Sequence, residues 1–101
     1  GPRDVAFRML DPKTISNPLT VKISNKDQVS HEYKFAVSEQ ADIQIVTPMI
    51  PFVVGPGEIK ETPIFVNFPK EMLVDRKVHS TIVIENEAGL KILRNVTLLG
   101  E

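Results

Sequence analysis

Leu19-Thr20-Val21-Lys22-Ile23-Ser24 alternates apolar and polar side chains without a break. Successive side chains of a strand point to opposite faces, so Leu19, Val21 and Ile23 form a dry face and Thr20, Lys22 and Ser24 a wet one. The same period recurs on both sides. Past the polar connection Asn25-Lys26-Asp27-Gln28, the segment His31 to Ser38 sets Tyr33, Phe35 and Val37 on one side. These two segments are expected to form a hairpin or its equivalent between two sheets. Upstream, a strand is expected over Arg3 to Leu10 with Val5, Phe7 and Met9 on one face. Asp11-Pro12-Lys13-Thr14 closes it as a turn, because proline presets φ and cannot donate.

Further along, Ile43 and Ile45 share a face within Asp42 to Thr47, and Ile50, Phe52 and Val54 do so across Pro51. Pro48 and Pro51 cannot enter a ladder as donors, which predicts an edge position. Pro56-Gly57 predicts a type II turn with glycine at positive φ. Ile64, Val66 and Phe68 alternate again, and Pro69 to Leu73 is the one stretch expected to make a helical turn, with proline at its first position. Val78, Ile82 and Ile84 lie on one side of the next strand, and Asn86-Glu87-Ala88-Gly89 is a hairpin turn. Leu90, Ile92, Val96 and Leu98 then share a face that Arg94 interrupts, so a bulge near Arg94-Asn95 is expected.

Val, Ile and Thr total 28 residues, whereas Ala and Leu total 11, a balance that favours pleated surfaces over helices. Seven or eight short strands with regular turn signals predict an all-β, immunoglobulin-like sandwich of two antiparallel sheets. The chain has no Cys and no Trp, so it has no disulfide and is not an antibody-type domain. Its 101 residues make one domain, 1–101. Gly1-Pro2 lacks an initiator Met, which predicts a piece of a longer protein. No apolar run approaches the roughly 20 residues that span a bilayer. Twelve basic against 13 acidic residues leave a net charge of −1. That balance argues against a nucleic-acid or anionic-membrane surface.

Zero Cys removes thiolate nucleophiles, blue-copper sites and iron–sulfur ligation within the chain. The remaining soft or imidazole ligands, His31, His79, Met49, Met9 and Met72, are scattered singly. Both histidines are expected at the surface, His31 after a polar loop and His79 on the face opposite Val78. Ser30-His31-Glu32 cannot form a relay, since strand neighbours point to opposite faces. Glu58 and Glu61 differ in parity, and Pro56 removes an amide that a phosphate cradle would need. Asn95-Val96-Thr97 matches a glycosylation triplet, a pattern that chance also produces. No catalytic residue is expected. Protein–protein contact remains, with the edge near Pro48–Pro51 and the loop Asn25, Lys26, Asp27, Gln28 as its expected surfaces.

Several stretches together resemble one family: Arg3-Asp4, Asn17 to Gln28, His31-Glu32-Tyr33, Phe52-Val53-Val54-Gly55-Pro56-Gly57-Glu58 and Leu98-Leu99-Gly100-Glu101. They are similar to the carboxy-terminal immunoglobulin-like domain of FixG/CcoG proteins. The resemblance implies a parent anchored in the bacterial inner membrane, with a ferredoxin-like portion carrying two 4Fe-4S clusters. It implies a role in assembling cbb-type cytochrome oxidase and delivering its copper and, in nitrogen-fixing bacteria, a place in the gene cluster that supports respiration at low oxygen. This domain would face the periplasm, touch the membrane only through its tether, and hold no cofactor. Its partners would be oxidase assembly components or copper donor proteins. The competing expectation is a transient copper relay using His31, His79 or a Met.

Overall fold

Apolar residues at every second position need a second sheet to face, and the computed structural model, which describes residues 7–101, provides one. The described strands are β1 (Arg8–Asp11), β2 (Thr14–Ser24), β3 (His31–Val37), β4 (Gln44–Val46), β5 (Phe52–Val54), β6 (Ile59–Pro69), β7 (Lys77–Asn86) and β8 (Lys91–Leu99). One sheet has the order β1-β2-β6-β4 and the other β5-β3-β7-β8. All pairings are antiparallel. The link from β2 to β3 therefore passes between sheets and is not a hairpin. The core is the dry face of each sheet: Ile15, Ile23, Ile64, Val66 and Phe68 meet Tyr33, Phe52, Val54, Val78, Ile82, Ile84 and Leu98.

The punctuation residues act as their chemistry requires. Gly57 has φ 71°, and the Glu58 N–H donates to the Gly55 carbonyl at 3.1 Å, closing the turn at Pro56-Gly57. Glu58 Oε1 also accepts from the Gly55 N–H at 2.7 Å, so this carboxylate serves the turn. Pro48 and Pro51 lie between β4 and β5, which are edge strands of opposite sheets. Lys70–Met72 forms a 3₁₀ turn, with Pro69 preceding it in extended backbone instead of occupying its first position.

Two expectations change. The β7–β8 ladder runs without interruption from Lys77↔Leu99 to Glu85↔Lys91, so no bulge lies at Arg94-Asn95. β8 is an edge strand, and an arginine on its inward parity reaches water past the rim without a shift of register. The register shift that does occur lies in β1, between Met9 and Asp11. All four residues of β1 are exposed, Met9 included, while Phe7 packs against the core. The Arg3–Ala6 part of the expected first strand lies outside the described residues.

Candidate functional site

The link between β2 and β3 crosses from one sheet to the other, and its two ends are tied down. Asn25 opens it. The Asn25 N–H donates to the Glu58 carbonyl at 2.9 Å. Its Nδ2 donates to the carbonyls of Val29 at 2.9 Å and Val54 at 3.0 Å. Its Oδ1 accepts from the Asp27 N–H at 2.9 Å, the Asx turn that an Asn-x-Asp triplet favours. Asn25 is 2% exposed and so organises the loop without presenting itself to a partner. That corrects its assignment as a contact residue. Lys26, Asp27 and Gln28 are exposed, and so are Val29 and Ser30.

His31 closes the loop and corrects a second expectation, being 6% exposed where a solvated ring was predicted. Its Nε2 lies 2.8 Å from Asp27 Oδ2 and its Nδ1 2.6 Å from Glu87 Oε2. Ionised carboxylates only accept, so with Asp27 and Glu87 both ionised this geometry is satisfied when both ring nitrogens donate, as they do in the imidazolium. The hydrogen bond to Asp27, then that to Glu87, holds the His31 pKa above its usual 6.5. The bond from His31 holds the Asp27 carboxyl low. For Glu87 the Glu32 N–H, donating to Oε1 at 2.7 Å, is the larger cause and His31 the smaller. The Tyr33 ring meets the imidazole edge-on, with centroids 6.4 Å apart.

An imidazolium with both nitrogens spent has no lone pair for a metal and cannot act as a base. Ser30 is no partner to it. His79 lies on the exposed face of β7, with Nδ1 3.4 Å from Thr97 Oγ1. Met49, between β4 and β5, is 41% exposed. Met9 belongs to β1, and Met72 packs against the core from the 3₁₀ turn. The structure therefore distributes the candidate ligands over separate elements. Among the described residues no group of three His, Asp or Glu side chains is arranged to hold a metal ion. Glu87 was missed in the sequence because it lies 56 residues from its histidine. Asp27, four residues from His31, was the available signal.

A cysteine-free sandwich of two antiparallel sheets, four strands in each among the described residues, belongs to the immunoglobulin-like class of β domains. Within it, the chain belongs to the family described as "IG-like fold at C-terminal of FixG, putative oxidoreductase", whose model matches residues 2–101. A solved structure titled "Crystal structure of FixG-related protein from Vibrio parahaemolyticus" shares the fold, with a TM-score of 0.73. It is 19% identical, over 86% of this chain and 80% of that one. No curated protein matches.

Proposed function

We propose that the chain is a non-catalytic interaction and stabilising domain of a FixG-like membrane-bound iron–sulfur protein, an oxidoreductase that helps assemble cbb-type cytochrome oxidase and deliver its copper. The domain sits on the periplasmic side and docks the parent to oxidase assembly components or a copper donor. Family membership supports the parent. The observation that carries docking is the loop itself: five consecutive exposed residues, Lys26 to Ser30, held between the Asn25 and His31 anchors. A loop fixed before it meets a partner loses little freedom on binding. Val29, the apolar residue among these five and 56% exposed, is the natural anchor. The 4Fe-4S clusters belong to the parent, since this chain has no Cys to ligate them. The copper-relay alternative loses His31, whose nitrogens are both engaged, and would have to rely on His79 and Met49 from different elements.

Val29→Asp and Lys26→Glu change the loop's surface and leave both anchors intact. Introduced into the full-length protein, they should lower the amount of assembled oxidase in membranes while iron–sulfur content stays unchanged. Unaltered oxidase assembly would discard the loop as the docking surface.

A further inference from the structure

Among the described residues, one side of the sandwich is unfinished in both sheets. β8 is the last strand of its sheet, and β1 covers β2 only over Thr14–Ser16. From Pro18 to Ser24, β2 has no outer strand partner among the described residues. All three prolines of the β2–β6 ladder fall on one parity, in the pairs Thr14↔Pro69, Pro18↔Phe65 and Thr20↔Pro63. Proline cannot donate, and antiparallel residues alternate between neighbours, so this parity exchanges no bonds between β2 and β6. Thr20, Lys22 and Ser24 share it and turn their N–H and C=O groups outward. Seven residues of open edge span about 23 Å.

Between this edge and β8 lies a cleft of about 680 Å³. Leu19 and Val21 from one sheet and Ile92 and Val96 from the other line it and are only half-buried. Its charged lining is Lys22, Lys26 and Arg94, with no carboxylate. Arg94 stands on the inward parity between Ile92 and Val96, and its guanidinium donates to the neighbouring Leu93 carbonyl at 3.1 Å. Among the described residues the only ion pairs are those of His31, so Arg94 has no anionic partner.

We propose that this cleft receives an extended, acidic segment of a partner protein, which adds as a strand along β2. Alternate apolar side chains of the segment would enter between the sheets, and a carboxylate would take the Arg94 fork. A second copy of the chain fits badly, because edge-to-edge pairing would bring the same cations of both copies together. The inference rests on the interaction reading only in supposing a partner, and it concerns a different surface from the loop.

The test is an amide NMR titration of the ¹⁵N-labelled chain, and of a chain beginning at Phe7. The probes are short synthetic peptides alternating valine and threonine around one central glutamate, with twins carrying glutamine or lysine there. The glutamate peptide should move Thr20, Lys22, Ser24 and the β8 amides saturably, the glutamine twin should bind more weakly, and the lysine twin should not bind. Arg94→Gln should weaken the glutamate peptide by about tenfold and erase its advantage over glutamine. Absence of saturable change with both chains would overturn the proposal. Binding confined to the chain beginning at Phe7 would assign the edge to the chain's own first residues. Concentration-dependent shifts without peptide would assign it to a second copy. Either of those results also overturns the partner, and none of them bears on the Val29 test.

Discussion

The same two strands, β2 and β8, are joined at one end of the sandwich and stand apart at the other. At the joined end, Ile15 and Leu98 are fully buried. Asn17 reaches across the gap, its Nδ2 donating to the Leu99 carbonyl at 2.9 Å and its Oδ1 accepting from the Leu99 N–H at 2.8 Å. Gly100 completes the closure by being small: a Cβ there would lie 2.7 Å from Ile15 Cδ1 and 2.8 Å from Leu73 Cδ1. At the open end Leu19, Val21, Ile92 and Val96 supply more aliphatic carbon and yet stay half-wet. Closure here follows from shape and hydrogen-bond matching, which an amide and a missing methyl supply. Apolar content alone does not produce it.

Asn17→Ala should have the largest effect on this contrast. It removes two bonds and leaves the Leu99 N–H and C=O without a partner, a loss of about 2–3 kcal/mol in urea unfolding. Val21→Ala, at the open end, should cost only about 1 kcal/mol, because a half-buried valine has less transfer energy to lose and no sealed cavity to leave behind. A loss at Val21 as large as that at Asn17 would erase the distinction between the two ends.

The smallest effect should be that of pH, and it should be confined to the loop beside the open end. Asp27 and Glu87 are 59% and 54% exposed, so solvent screens the clamp. The His31 pKa is raised, so its contribution is complete below 6.5 and fades as pH rises through the higher folded value. The carboxyl pKa values are lowered, so theirs is complete above the ordinary 4.5 of Glu87 and fades as pH falls through the folded values. Loop protection against hydrogen exchange should therefore be greatest between about pH 4.5 and 6.5. His31→Gln should flatten the alkaline arm and leave the Asn17 end unchanged.

Strict alternation made the sandwich legible. Ile64, Val66 and Phe68 are all buried, as their period demands, and so are Val78, Ile82 and Ile84. Turn chemistry was equally plain at Gly57 and Gly89, both at positive φ. Arg94 misled because parity carries no information about which strand is an edge, and only an edge lets a long cation escape the core face. His31 and Asn25 misled for another reason, and the role of Asn17 went unread for the same one. Polar residues near loops are ordinarily solvated, and the groups that satisfy these three include partners 29, 56 and 82 residues away. No local pattern contains a pairing of that reach.

The Asn17 bridge also sets a schedule for synthesis. Its two halves are 82 residues apart, so the joined end cannot close until Leu99 has been made. At about 5–20 residues per second a ribosome leaves β2 waiting on the order of 4–16 seconds for Leu99. During that interval Ile15 and Asn17 lack the cover that β8 later provides, and the emerging chain is most in need of protection from its neighbours.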